Sequence, residues 1–264
     1  MRVALSVAGS DPTGGAGLQA DLQVFRSFGV HGAGVVTALT VQDTQKVARV
    51  LPVFPNVVLD QLRVLLRDLR PDAVKLGMLA SDDVARQVAL GLEELDRSAG
   101  GRPPMVVDPV LAASDGTPLL ERRAYPMLLE LIGRATLVTP NLSEAERLCE
   151  CDVSTREGVE AAATTLVNEI GARAALVKGG HREGPPDDLL ALREGGSATL
   201  SWLDGERIDV GPVHGTGCAL AAAITAELAR GVRLVDAVAS GRRFVADALR
   251  RSAASGLGTR LLLF

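Results

Sequence analysis

Two kinds of segment alternate along the chain. Residues 3–8, 35–41, 73–79, 105–111, 135–139 and 173–178 are short and apolar nearly throughout. A strand covered by helices on both faces has no solvent side to carry polar residues, so such runs predict buried parallel strands. Between them, 16–28, 56–69, 82–98, 120–133, 143–150 and 156–170 carry apolar residues at spacings of three and four, which predicts helices. Leu59, Leu62, Leu65, Leu66 and Leu69 form one such stripe. Ser143 with Glu146, and Ser154 with Glu157, have the spacing of capping boxes. Repeated β–α alternation predicts an α/β protein with a doubly wound, mainly parallel sheet and helices on both faces. From 185 to 212 the pattern changes. A Pro pair at 185–186 and a Gly pair at 195–196 bracket 189–193 and 198–203, which predicts a small β-hairpin added to the sheet. Helices follow at 216–230 and 233–253. No linker, repeat or low-complexity tract interrupts the pattern, so one domain over 1–264 is expected.

Composition narrows the function. The 264 residues carry 28 Lys+Arg against 32 Asp+Glu, a formal charge of −4, so a basic nucleic-acid surface is not indicated. Aromatics are only 3%, which leaves aliphatic residues and alanine to fill the core. No apolar run reaches the roughly 20 residues that cross a bilayer, and no secretory cleavage pattern follows Met1-Arg2. Cys149, Cys151 and Cys218 cannot make a disulfide framework, and His31, His181 and His214 lack metal-ligand spacing. A reducing, cytoplasmic setting without structural zinc is expected.

In open α/β sheets ligands bind beyond the carboxyl ends of the strands. Polar residues gather there: Gly9 to Gly17, with four glycines in nine residues; Gln42-Asp43-Thr44; Lys75, Gly77 and Met78; Asp108-Pro109; Thr139-Pro140-Asn141; and Lys178-Gly179-Gly180-His181. Together they outline a cleft. The loop at 9–17 matches neither a Walker A nor a dinucleotide fingerprint, and reads as a tight turn or a substrate lid. Asp21 reads as a first-turn helix acid. The segment 214–231 is the most informative. Its Gly-Thr-Gly turn feeds a helix of small residues whose first amides, at Thr216, Gly217 and Cys218, have no intrahelical partner and form an anion site. That suits a phosphoryl group in transfer. Cys218 at the helix end is expected to have a lowered thiol pKa and to accept a proton from an attacking hydroxyl. A glycine-capped helix with a small buried cysteine fits the same residues, and both readings stand. Lys178 suits a polyphosphate or a solvated strand end. Asn141 and Glu144 suit the waters of Mg²⁺ or ordinary capping, and Asp108 suits the site or an Asx turn. His181 and His214, beside glycine turns, read as hydrogen-bonding residues.

In this order the motifs at 7–22, 37–44, 74–79, 106–116, 137–148, 176–181 and 214–231 resemble the hydroxymethylpyrimidine/phosphomethylpyrimidine kinases of thiamine biosynthesis, a branch of the ribokinase-like fold. The resemblance implies a central mainly parallel sheet flanked by helices. It also implies that Gly9, Ala16, Asp21, Gln42, Met78 and Val110 surround an aminopyrimidine. Asp21 and Gln42 would bond its polar groups, and Met78 and Val110 would form apolar walls. Asn141, Lys178 and Thr216 are implied at ATP, Asp108 and Glu144 at Mg²⁺, and Gly215, Thr216 and Gly217 as the anion hole. Cys218 is implied as the base, where sister sugar kinases carry an aspartate. A homodimer is the implied assembly. The chain departs from the family pattern at Asp43, at Val213, at Ser114-Asp115-Gly116 in place of Lys-Ser-Gly, and at its apolar C-terminal tail.

The reaction implied is Mg²⁺-ATP-dependent phosphorylation of 4-amino-5-hydroxymethyl-2-methylpyrimidine, then of its monophosphate. Alternatives are a pyridoxal kinase of the same branch, which the cysteine-free flap at 111–114 and Gln42 speak against, and a non-catalytic pyrimidine-binding homologue. A hydrolase using Cys218 as nucleophile lacks a credibly placed histidine other than the nearby His214.

Overall fold

The computed structural model describes residues 1–98, 100–180, 185–254 and 256–264. His181 lies outside the described residues. Strands β1 (Val3–Ser10), β2 (His31–Gln42), β3 (Val47–Pro52), β4 (Ala73–Leu76), β5 (Met105–Val107), β6 (Leu137–Val138), β7 (Ala174–Val177), β8 (Asp188–Glu194) and β9 (Ser197–Leu203) form one sheet in the order β3-β2-β1-β4-β5-β6-β7-β8-β9. Neighbours from β2 to β7 run parallel; β3, β8 and β9 add antiparallel edges. The hairpin expected at 189–203 is β8–β9. Strand β3 was not expected: Arg49 and Pro52 give its six residues little apolar signal, and it needs only one neighbour as an edge strand.

The helices are α1 (Gly17–Ser27), α2 (Pro55–Asp68), α3 (Asp82–Arg97), α4 (Tyr125–Gly133), α5 (Leu142–Cys149), α6 (Arg156–Asn168), α7 (Thr216–Ala229) and α8 (Leu234–Arg251). Strand residues alternate between two cores, as the pleat requires. Val3, Leu5 and Val7 of β1 face a core shared with α2 to α6; Ala4 faces one shared with α1, α7 and α8. The alanines of α7 let it lie close on the sheet, and every residue from Ala219 to Ala229 is buried. Of the α2 stripe, Leu59 and Leu62 are buried, and Leu65, Leu66 and Leu69 pack at its margin.

The helix caps differ from expectation by one or two residues. The capping box of α5 is Asn141 with Glu144, each accepting the other's backbone N–H at 2.8 Å, because the helix begins at Leu142 and leaves Ser143 inside it. Helix α6 is capped by Thr155, which accepts from the Gly158 amide at 3.1 Å; Ser154 is drawn instead to Asp152. Beyond the main sheet, two-residue strands β10 (Val213–His214) and β11 (Arg260–Leu261) pair in parallel. They tie the C-terminal segment to the turn before α7. No helix among the described residues is long and apolar enough to cross a membrane.

Candidate active site

The chain order places β1 between β2 and β4, so the winding direction reverses at β1, the position where open α/β sheets form a crevice. A cavity of about 630 Å³ lies there, lined by residues that follow β1, β2, β4, β5, β6 and β7 and by the start of α7.

At its floor, Gly215 has φ +83°, and a side chain there would overlap the Gly15 carbonyl oxygen, so glycine is required. No side chain caps α7, and the first intrahelical bond runs from the Ala219 amide to Gly215 O at 2.9 Å. The amides of Thr216, Gly217 and Cys218 are therefore left without an intrahelical acceptor at the positive end of the helix. The Lys178 ammonium stands beside this turn, 3.0 Å from where a Gly217 side chain would begin, and is 3.2 Å from Asp108 Oδ1. Burial lowers the Lys178 pKa, but Asp108 and Glu144 outweigh it and hold the group above the ordinary lysine range. Burial raises Asp108, and the charges of Lys178 and Lys75 bring it below the usual carboxylate value. Burial pushes Glu144 up to about 7, with Asp108 adding to the rise and Lys178 opposing it.

Cys218 opens on the cavity, yet its sulfur lies deep in the fold. Burial pushes the thiol up to about 12, with Lys75 and the Gly17 amide pulling the other way. This corrects the expected low pKa: the helix terminus is outweighed by loss of water and by Asp108 and Asp21. The resting group is a thiol.

Gly9, Ala16, Gln42, Met78 and Val110 line the cavity together, as do Asn141, Thr216, Asp108 and Glu144. A side chain at Gly9 would begin 2.8 Å from Met78 Sδ, so glycine lets the thioether lie on the backbone. Asn141 offers its amide nitrogen and the second lone pair of Oδ1, whose first accepts from the Glu144 amide to cap α5. Asp21 is the exception. It is fully buried and absent from the cavity wall, and its oxygens are held by Ser6 Oγ at 2.6 Å and by Lys75 Nζ at 2.6 and 2.8 Å. Its direct contact is Lys75, which does line the cavity. Burial lowers the Lys75 pKa, but the Asp21 carboxylate outweighs it and the lysine stays charged.

Sequence reasoning gave Lys75 no role, although a lysine inside an apolar run is a signal in itself. It also missed the far wall, formed by loop residues such as Ile208 and Val210 and by Val245, Ala246 and Leu249 of α8. Those on α8 recur at helical spacing and look like ordinary core in the sequence. Asp115 is not a free acid in the flap: it accepts from the Val47 amide at 3.0 Å and the Thr117 amide at 2.8 Å, fastening the flap to β3. Cys149 is structural, its thiol 3.5 Å from the Ala162 carbonyl. No cluster of three or more His, Cys, Asp or Glu suited to a metal occurs among the described residues. Asp108 and Glu144 alone therefore fit an ion that keeps most of its waters and shares phosphate oxygens, which is how Mg²⁺ binds.

Residues 11–261 match the family model described as phosphomethylpyrimidine kinase. The chain is 41% identical over 248 residues to the hydroxymethylpyrimidine/phosphomethylpyrimidine kinase of Rhizobium meliloti (strain 1021), covering 94% of this chain and 90% of that one. Among solved structures it is similar to phosphomethylpyrimidine kinase from Clostridium difficile 630, at 30% identity and TM-score 0.82 over 94% of this chain and 100% of that one. It is also similar to the Bacillus subtilis pyridoxal kinase in an ADP complex, at 30% identity and TM-score 0.88 over 99% and 96%.

Proposed function

The chain belongs to the phosphomethylpyrimidine kinase family, and from that premise we propose that it phosphorylates 4-amino-5-hydroxymethyl-2-methylpyrimidine with ATP and then phosphorylates the monophosphate to the diphosphate, as a step in thiamine biosynthesis. The observation that carries the reading is the anion turn. The amides of Thr216, Gly217 and Cys218, left without an intrahelical acceptor, and the Lys178 ammonium border one cavity, whose outer wall sets Ile208, Val210, Val245 and Leu249 among charged residues. The γ-phosphate belongs at the turn, where preorganised N–H groups and a charged lysine stabilise its oxygens most in the transition state. The adenine belongs against Ile208, Val210, Val245 and Leu249. Asn141 and Thr216 border the phosphates, and Asp108 and Glu144 would hold Mg²⁺ through its waters. The ion supplies positive charge to the phosphate oxygens.

Met78 and Val110 wall the acceptor ring, Gln42 bonds its polar edge, and its hydroxymethyl group reaches toward Cys218. We assign Cys218 the hydroxyl proton in the first step. Since its resting form is a thiol, that role requires the sulfur first to release its own proton to solvent through the cavity that it lines, a loss that Lys75 and the Gly17 amide favour. The second step needs no such help, because a phosphate oxygen is already ionised near neutrality.

Cys218→Ala tests this. Alcohol phosphorylation is expected to fall by about 10²-fold or more, and that of the monophosphate by less than about tenfold. Equal losses overturn the base role, and a wild-type protein that turns over ATP with neither acceptor overturns the kinase reading. Pyridoxal is the second acceptor to run, because the fold matches a pyridoxal kinase closely. The absence of cysteine at 111–114 speaks for the pyrimidine.

The assembly we infer is a homodimer, supported by the apolar side chains of Leu39, Val41 and Leu51 exposed on β2 and β3. The single sheet that carries the strand-end loops supports one domain over 1–264. Free cysteines Cys149, Cys151 and Cys218 suit a cytoplasmic enzyme.

A further inference from the structure

Three loops meet at one imidazole nitrogen. His214 Nε2 lies 3.0 Å from Asp11 Oδ2 and 3.4 Å from the Gln42 side-chain amide nitrogen. A ring nitrogen either donates or accepts, and Asp11 settles which. Asp11 already accepts from the Thr13 amide and hydroxyl and from the Ala16 amide, at 2.8 to 2.9 Å. Burial raises its pKa, but bonds from His214 and Thr13 outweigh this and keep it ionised. An ionised carboxylate only accepts, so Nε2 carries hydrogen.

That hydrogen conflicts with an amide NH₂ at 3.4 Å, because both groups would donate. Half a turn of the amide about its last bond removes the conflict without changing the space filled. The oxygen and nitrogen are nearly the same size, and the hydrogen-bond network decides between them. The Nε2 hydrogen is then shared between Asp11 and Gln42 Oε1. The ring itself is held. His214 pairs with Leu261 across β10 and β11, and a side chain at Gly15 would begin 2.9 Å from its Cδ2.

We propose that His214 is a positioning residue that fixes the polarity of Gln42, so that Gln42 presents its NH₂ and the second lone pair of Oε1 to the acceptor. That pattern fits a ring nitrogen beside an exocyclic amine, the NH₂ donating to the first and the oxygen accepting from the second. An aminopyrimidine offers this edge. The pyridine of pyridoxal has no amine next to its ring nitrogen. His214 thus selects the acceptor through the group that it holds. The inference rests on the kinase reading above and names how that site distinguishes its substrates.

The test compares wild type, His214→Phe and His214→Gln, measuring KM and kcat for the aminopyrimidine alcohol and for pyridoxal, and KM for ATP. His214→Phe is expected to raise KM for the aminopyrimidine about tenfold while moving the other two KM values less than about twofold. His214→Gln, whose amide N–H can stand where Nε2–H stood, is expected to restore most of the loss. An unchanged aminopyrimidine KM, or an equal rise in all three, overturns the proposal. In wild-type protein, a ¹⁵N–¹H correlation of the imidazole is expected to show hydrogen on Nε2; hydrogen on Nδ1 alone overturns the proposal whether or not the variants fold. Wild-type protein without aminopyrimidine turnover refutes the kinase reading and the proposal together, whereas turnover with an unmoved KM refutes the proposal only.

Discussion

Lys75 is fully buried in the middle of a strand, and Asp21 is its counter-ion. Strand register sets Ser6 of β1 opposite Lys75 of β4, and both point toward α1, where Asp21 closes the group. Removing one partner of such a pair leaves a bare charge out of water. Asp21→Asn is therefore expected to destabilise the protein by about 3–5 kcal/mol in urea unfolding, and adding Lys75→Met should recover most of that. A loss below about 1 kcal/mol from the single change would show that water reaches the ammonium. The resemblance puts Asp21 at the substrate, and the sequence, which shows each charge separately, does not reveal that its partner lies 54 positions away. Gly215 was legible through its place in the Gly-Thr-Gly turn, but the Gly15 carbonyl that excludes a side chain there is far away in the chain and was not. The Cys218 thiol was misjudged because its helix terminus is visible in the sequence and its burial is not.

At the scale of elements, the strand runs were legible but their ends were not. The runs at 73–79 and 105–111 stop pairing after Leu76 and Val107, where the chain leaves the sheet to bring Met78 and Asp108 to the cavity. Met78 is as apolar as the strand itself, so hydrophobicity does not mark that exit, and the Asp108 charge that marks the other is followed by the apolar Val110 and Leu111. The cap of α5 has its own pH signature. Glu144 sits near 7 in the fold against an ordinary 4.5. The folded state thus holds a proton that the unfolded chain has lost, and stability falls as pH rises between these values. Glu144→Gln keeps an acceptor for the Asn141 amide and cannot ionise. Without Mg²⁺, its Tm is expected to rise relative to wild type at pH 8 and to differ little at pH 4.5. A lower Tm than wild type at pH 8 would reverse the sign and show that the ionised form is the stabilising one.

Across the whole molecule, the C-terminal segment joins parts that are far apart in the chain. The Gly258 and Thr259 amides donate to Thr44, at 3.1 and 2.8 Å, two residues past Gln42. Leu261 pairs with His214 and packs against Gly15, Leu262 is buried, and Phe264 stacks on Phe244, which in turn meets Phe28. The apolar tail thus packs on the body of the chain. Deleting 257–264 is expected to raise KM for the pyrimidine about tenfold through misplacement of Gln42 and His214, and to lower Tm by about 5 °C or more, with KM for ATP little changed. Equal changes in both KM values would mean that the tail supports the fold in general and not the acceptor side.

The two chain ends are therefore unequal for anyone handling the protein. Met1 is 90% exposed and can carry a purification handle at little cost. A handle fused after Phe264 would push on the ring that closes the aromatic stack, and the sluggish preparation that resulted could be mistaken for a poor catalyst.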